Sequence, residues 1–153
     1  MDSVSQIVDH AEQHCASRGT RLTNKRKHVL RSLLRSGKAL SAYELIDECK
    51  IRFENTLPAT SMYRILDFLS KERLVHRLSM ANKYVACSHI TCDHECEASQ
   101  FLICIHCQKV KEVRISQSTV TDLQATIGHA GFHLATTQFE INCICDGCAL
   151  TTT

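Results

Sequence analysis

Two short cysteine pairs stand out in the second half of this 153-residue chain, and their spacing indicates metal chemistry. They are Cys104-Ile105-His106-Cys107 and Cys145-Asp146-Gly147-Cys148. A turn that separates two cysteines by two residues directs both sulfur atoms toward one point, so two such turns complete a tetrahedron. Tetrahedral thiolate sets bind Zn²⁺ in closed, structural sites. The spacing therefore predicts a structural zinc held by Cys104, Cys107, Cys145 and Cys148.

Two other uses of these cysteines fit the sequence less well. A redox dithiol usually opens a helix beside a βαβ unit, and the flanking sequence lacks that pattern. A disulfide scaffold suits a secreted protein, but the polar, acidic start MDSVSQIVDHAEQH does not resemble a secretory signal. We therefore expect a cytoplasmic protein whose clustered cysteines bind metal, with Cys15, Cys49 and Cys143 as buried thiols.

Length and charge divide the chain into two parts. A chain of 153 residues can form one good core or two small domains. Residues 1–83 carry a net charge of +6, whereas residues 84–153 carry a net charge of −4. No run of about 18 apolar residues occurs, so no transmembrane helix is expected. We predict a basic domain over residues 1–84 and an acidic, cysteine-rich domain over residues 85–153.

The order of elements in the first domain is typical of a winged helix. Apolar spacing predicts helices from Ser3 to Arg18, from Thr23 to Gly37, from Ser41 toward Phe53, and from near Pro58 onward. Ser41 and Glu44 form a capping box at the third of these. The segments LVHRLS and KYVAC then alternate like the two strands of a hairpin. In winged-helix domains the helix before the hairpin enters the major groove of DNA.

The second domain has the pattern of a small α/β unit. FLICIHCQKVKEVRI predicts a strand, a cysteine turn and a strand, and FHLATTQFEINCI predicts a further strand leading into the second cysteine pair. Between them, SQSTVTDLQATIGHAG predicts a helix with Ser116 or Ser118 as its cap and Gly131 at its end. So small a unit buries little core, a situation in which a bound metal or a dimer partner supplies stability.

Six local sequences resemble, in order, those of the ferric uptake regulator family. They are RLTNKR (21–26), SAYEL (41–45), TSMYRILDFL (60–69), LVHR (74–77), FLICIHCQKVKE (101–112) and CDGC (145–148). The resemblance covers roughly residues 20–148 and is greatest to the zinc uptake regulators of that family. It implies an α+β fold in which an N-terminal winged-helix DNA-binding domain precedes a small, zinc-stapled α/β dimerisation domain.

The resemblance also implies a second, regulatory zinc in each subunit. On matching motifs its ligands are His76 in LVHR, Cys87 in YVACS and Glu112 in QKVKE, with a fourth ligand before the first cysteine pair. A set of thiolate, imidazoles and carboxylate suits Zn²⁺, whereas an iron or manganese sensor favours ligands without sulfur. Cys87 is therefore the residue that favours zinc.

The identity of the fourth ligand stays open at this point. The region between Cys87 and Cys104 carries no run of histidines like that of the iron sensors of the family. His94 is our choice and Cys96 comes next. The remaining candidates in the same region are Cys92, His89 and Glu97.

Together these features predict a zinc-responsive, metal-dependent transcriptional repressor that binds palindromic operators of zinc-uptake genes as a homodimer. The resemblance assigns DNA contacts to Tyr43, Tyr63 and Arg64. Basic residues are further candidates for contacts with DNA phosphates, namely Arg21, Lys25, Arg26, Lys27 and Arg64.

Two other kinds of function are compared with that of a zinc-responsive repressor. The alternative within the family is a sister regulator that senses iron or peroxide. An enzyme is not expected, because no HExxH-like or HxE…CxxC constellation occurs. The expected partners are double-stranded DNA and a second copy of this chain, without a membrane and without a small-molecule substrate other than the metal ion.

Overall fold

The computed structural model describes residues 3–88, 90–91 and 99–151, with the backbone alone at Ser99. The chain forms two compact units, Met1–His94 and Glu95–Thr153. The domain boundary predicted from the sequence, after residue 84, would fall inside a strand of the first unit, Lys83–Ala86. The candidates for the fourth regulatory ligand lie outside the described residues: His89, Cys92, His94, Cys96 and Glu97.

In the described part of the first unit, helices precede a hairpin. They are α1 (Ser3–Ser17), α2 (Asn24–Ser36), α3 (Ala42–Phe53) and α4 (Ala59–Lys71), followed by strands β1 (Val75–Leu78) and β2 (Lys83–Ala86). The two strands pair antiparallel, with Val75 opposite Ala86 and Leu78 opposite Lys83. This order and this pairing confirm the predicted winged helix.

Side-chain caps explain where α2 and α3 begin. The Thr23 hydroxyl accepts a hydrogen bond from the backbone N–H of Arg26 at 3.5 Å, and the Ser41 hydroxyl accepts one from the N–H of Glu44 at 3.2 Å. Each bond satisfies an N–H that has no partner within its helix. α2 ends at Gly37, whose φ of 64° lies in the left-handed region that glycine adopts without steric cost.

The apolar stripes of the helices form the core of the first unit. Leu30 of α2, Leu45 of α3 and Leu66 of α4 are fully buried. Burying a leucine side chain contributes about 1.5–3 kcal/mol relative to leaving it exposed. Because α4 uses one face for this core, its opposite face remains in solvent, where Tyr63 and Arg64 lie.

The hairpin is joined to the helices by contacts that were not predicted. Leu40 and Tyr84 exchange backbone hydrogen bonds of 2.9 and 2.8 Å, which adds a single bridge outside the hairpin strands. Next to it, Lys83 Nζ lies 3.4 Å from Glu44 Oε1 in the first turn of α3. These contacts fix the root of the wing against the start of α3.

In the described part of the second unit, a mixed sheet carries the cysteine pairs. The elements of this unit are β3 (Ser99–Cys104), β4 (Val110–Arg114), α5 (Gln117–His129), β5 (Phe139–Cys143) and α6 (Asp146–Thr151). β3 lies in the centre, antiparallel to β4 and parallel to β5. Among the described residues of this unit, the buried apolar side chains are those of Phe101, Ile103, Cys104 and Val120.

The last strand is shorter than predicted, because β5 covers only Phe139–Cys143. Upstream, the N–H of Gln138 donates to the Thr136 hydroxyl at 3.1 Å, which turns the chain. The fully buried Gln100 of β3 then holds the start of the strand. Its amide Nε2 donates to the Thr137 carbonyl at 3.1 Å, and its Oε1 accepts from the N–H of Phe139 at 2.9 Å.

Replacing Gln100 by leucine should destabilise the second unit by about 2–6 kcal/mol, because two backbone groups lose their partner at about 1–3 kcal/mol each. Urea denaturation of the metal-loaded protein measures this difference. The exposed Gln124 of α5 is the matched control, and its leucine variant should stay within about 0.5 kcal/mol of wild type. Equal stability of the two variants would contradict the assigned role of Gln100.

Within residues 3–88, 90–91 and 99–151, every helix is too short or too polar to span a lipid bilayer.

Candidate metal centre and nucleic-acid interface

The sheet of the second unit brings the two cysteine pairs to one end. Cys104 is the last residue of β3 and lies opposite Cys143 in the parallel ladder with β5. A turn after β3 carries Cys107, and Cys145 lies between the end of β5 and the start of α6. Because parallel strands end at the same edge, both pairs meet there, and Cys148 joins them from α6.

The four sulfur atoms have the separations that a single zinc ion requires. One ligand atom from each of Cys104, Cys107, Cys145 and Cys148 lies within 4.8 Å of the others. Cys107 Sγ and Cys145 Sγ are 3.7 Å apart. A tetrahedron with Zn–S bonds of about 2.3 Å has sulfur separations of about 3.8 Å. The residues present therefore fit a closed zinc–thiolate centre.

The electrostatics of this cluster also favour a cation. Backbone N–H groups of Cys145 and Cys107 donate to the Cys104 sulfur and lower the pKa of Cys104 to about 5. A hydrogen bond between the Cys148 thiol and the Cys145 side chain, together with burial, raises the pKa of Cys148 to about 12. Cys104 therefore loses its proton readily, whereas deprotonation of Cys148 beside it is unfavourable. A bound divalent cation would favour the thiolate form of both residues.

Cys143 differs from its expected state as a buried thiol, because its side chain is partly exposed. A regular strand would point Cys143 and Cys145 to opposite faces. However, β5 ends at Cys143, and both cysteines line one surface cavity of about 270 Å³. Cys143 is therefore a neighbour of the four-cysteine cluster without being one of its members.

A second set of candidate ligands lies at the root of the wing. His76 is in the middle of β1, opposite Val85, and is half-buried. Cys87 follows β2 directly, is buried, and its N–H donates to the Leu74 carbonyl at 2.9 Å. The hairpin register therefore brings an imidazole nitrogen of His76 and the Cys87 sulfur within 4.8 Å of each other. An imidazole and a thiolate form half of a borderline-soft site.

The other predicted members of that set belong to the second unit or to undescribed residues. Glu112 lies in β4, opposite Phe101, with its side chain half-buried. His94 and Cys96 are outside the described residues.

The solvent face of α4 and the first turn of α3 carry the predicted DNA contacts. Tyr63 is 39% exposed and its neighbour Arg64 is exposed as well. Tyr43, in the first turn of α3, is 66% exposed. Both tyrosine side chains are therefore accessible to solvent.

The candidate phosphate contacts divide into two groups. Arg21, Lys25 and Arg64 are exposed. Lys27 pairs with Glu12 of α1 at 2.8 Å between Nζ and Oε2, and the Arg26 guanidinium lies over the ring of Phe68. The sequence did not predict that these two residues are engaged within the unit, because their partners lie on other helices.

A winged helix with an exposed tyrosine–arginine pair on its last helix, followed by a small sheet with a four-cysteine cluster, defines a DNA-binding protein with a metal–thiolate centre. The sequence matches the Ferric uptake regulator family over residues 17–148, and the chain belongs to that family. The predicted family resemblance is confirmed, and the chain accordingly is a member of a family of regulators.

Named relatives support this placement. The chain is 34% identical over 147 residues to the zinc uptake regulation protein of Escherichia coli (strain K12), covering 95% of this chain and 83% of that protein. It is 28% identical over 115 residues to the ferric uptake regulation protein of Helicobacter pylori (strain ATCC 700392 / 26695), covering 73% and 71%.

Solved structures agree with the sequence comparison. A zinc uptake regulator complexed with zinc and DNA has a TM-score of 0.85 and 30% identity, and the match covers 99% of this chain and 98% of that one. The crystal structure of holo XcZur has a TM-score of 0.78 and 33% identity, with 97% and 99% covered.

Proposed function

We propose that this chain is a zinc-responsive transcriptional repressor that acts in the cytoplasm and binds palindromic operators of zinc-uptake genes as a homodimer. The observation that carries the proposal is the pair of His76 and Cys87 at the root of the wing. A thiolate beside an imidazole suits zinc better than iron or manganese. The wing itself belongs to a domain type that reads DNA.

Two zinc sites per subunit follow from this proposal. The structural ion takes Cys104, Cys107, Cys145 and Cys148 as ligands, a closed thiolate set. The regulatory ion takes His76, Cys87, Glu112 and His94, a mixed set that can be emptied as the zinc supply falls. The first site maintains the fold of the second unit, and the second makes the protein responsive.

DNA binding then depends on which conformations of the dimer are populated. Zinc increases repression only if it binds the DNA-competent dimer more tightly than the other conformations. In that dimer the two copies of α4 reach successive major grooves about one helical turn, or a multiple of it, apart. This geometry requires a palindromic operator.

Three side chains are proposed to contact the operator. Arg64 suits bidentate hydrogen bonds to guanine in the major groove. Tyr63 precedes it on the exposed face of α4. Tyr43, exposed in the first turn of α3, is proposed to contact the DNA backbone or a base edge beside it.

The test measures binding to a palindromic DNA duplex by the full chain that holds only its structural zinc, with and without added Zn²⁺. We expect tight binding with Zn²⁺ and weak binding without it. Equal affinity in the two states would exclude a zinc-responsive repressor.

Parallel titrations with Fe²⁺ and Mn²⁺ under anaerobic conditions test the alternative. A stronger response to Fe²⁺ than to Zn²⁺ would instead support a sister regulator that senses iron. Inactivation by hydrogen peroxide of the Fe²⁺-loaded form alone would support a peroxide sensor.

A further inference from the structure

Arg26 makes a contact that a simple phosphate-binding residue would not need. It lies in the first turn of α2, and its guanidinium carbon is 3.6 Å from the ring centroid of Phe68 in α4. Arginine stacks on aromatic faces in this way because its planar cation is weakly hydrated and is attracted to the ring. The contact joins the start of α2 to the C-terminal half of α4.

The same guanidinium holds the segment that leads into α2. Arg26 Nη1 donates a hydrogen bond of 2.6 Å to the backbone carbonyl of Arg21. The N–H of Arg26 donates to the Thr23 hydroxyl that caps α2. One side chain therefore connects the ring of Phe68 with the backbone of Arg21, whose own side chain is exposed.

A second arginine fastens the same segment one turn further along α4. Arg18 Nε lies 3.0 Å from Oε2 of Glu72, the residue that caps the C-terminus of α4. Glu72 is only 6% exposed, and its Oε2 makes this ion pair without a hydrogen bond. Phe68 and Glu72 are four residues apart and occupy one side of the helix. The segment from Arg18 to Arg26 thus lies against α4 at two points.

We propose that Arg26 is a positioning residue for DNA recognition. It holds the exposed Arg21 against α4, so that Arg21 and the Tyr63–Arg64 pair form one rigid surface, and it does not itself neutralise a DNA phosphate. This inference rests on the proposed DNA-binding function. It assigns different roles to two basic residues of the RLTNKR motif. Arg21 contacts DNA phosphate, and Arg26 positions the segment that carries Arg21.

The salt dependence of DNA binding distinguishes the two roles. Each phosphate contact contributes about 0.9 to the slope of log K against log salt concentration, because it releases condensed counterions. Arg21→Gln should reduce the slope by about that amount per contact. Arg26→Gln should lower affinity on the order of tenfold with the slope unchanged, since a stacking contact and a hydrogen bond are lost.

Two further variants separate positioning from charge. Arg26→Lys keeps the positive charge but cannot stack and donate together, so it should behave like Arg26→Gln, whereas a phosphate-binding role would be rescued by lysine. Phe68→Leu removes the ring on which Arg26 stacks, so it should lower the affinity for DNA without changing the slope of log K against log salt concentration. Combining Phe68→Leu with Arg26→Gln should produce little additional loss, because both remove one contact.

All variants are measured as zinc-loaded full chains on the same palindromic duplex, and circular dichroism verifies that each is folded at the assay temperature. Wild-type affinity in Arg26→Gln, a reduced slope in Arg26→Gln, or rescue by lysine would each overturn the positioning role while leaving the proposed function intact. Failure of wild type to bind the duplex would instead overturn the proposed function and this inference with it.

Discussion

Substituting serine for Cys104 is expected to unfold the second unit of the protein. Structural zinc sites contribute about 10–16 kcal/mol in small domains, which is more than the net stability of about 5–15 kcal/mol that a folded domain has. Among residues 100–151 few side chains are buried, so this unit has little apolar core to stabilise its sheet without metal. We expect the loss of one zinc per subunit by native mass spectrometry, together with loss of the sheet signals in NMR spectra.

Cys143→Ser is the matched control for this prediction. Cys143 is opposite Cys104 in the same ladder but is not one of the four clustered cysteines. Its serine variant should retain both the zinc and the sheet. A folded second unit in Cys104→Ser, or equal loss of zinc in the two variants, would contradict the four-cysteine assignment. Removal of zinc with a strong chelator should reproduce the effect of Cys104→Ser in the wild-type chain.

Substituting serine for Cys87 should abolish the response of DNA binding to zinc and leave the fold intact. Changes beside a metal site already cost 10–100-fold in metal affinity, so loss of a ligand should weaken the regulatory site by more than about 100-fold. Operator affinity with and without Zn²⁺ tests this, with size-exclusion chromatography and thermal unfolding as measures of dimer and fold. Both of these should match wild type.

Cys49→Ser is the matched control for Cys87→Ser. Cys49 is also a buried thiol of the first unit, but its sulfur lies 3.7 Å from the hydroxyl of Ser32, and it is not part of a candidate ligand set among the described residues. Its variant should respond to zinc as wild type does. A retained response in Cys87→Ser would remove Cys87 from the regulatory site.

The parts of the fold that depend on local chemistry were predictable from the sequence. Thr23 and Ser41 cap their helices because a hydroxyl at that position reaches a nearby N–H, whatever the rest of the chain does. The turns that carry Cys104 and Cys107 depend on an equally short spacing. The pair of His76 and Cys87 followed only from the family resemblance, because scattered ligands have no spacing that marks a site.

Features that depend on distant partners could not be predicted. Apolar alternation favours a strand from Phe132 onward, but hydrogen bonds to Gln100, more than thirty residues earlier, determine where β5 begins. The charge of Arg26 suggested contact with DNA, and its stacking on Phe68 depends on how α2 packs against α4. The fourth regulatory ligand stays a prediction, because scattered histidines and cysteines have no spacing that orders them.

The parallel pairing of β3 with β5 has a consequence for the lifetime of the folded protein. Cys107 and Cys145 are separated by 38 positions, and closing a loop of that length costs about 3 kcal/mol of chain entropy. That cost falls on the folding step, before the two strands touch. A zinc ion that binds only after closure is expected to act mainly on the reverse step and to slow unfolding. We therefore expect zinc at the four-cysteine cluster to affect how long the folded state persists more than how quickly it forms.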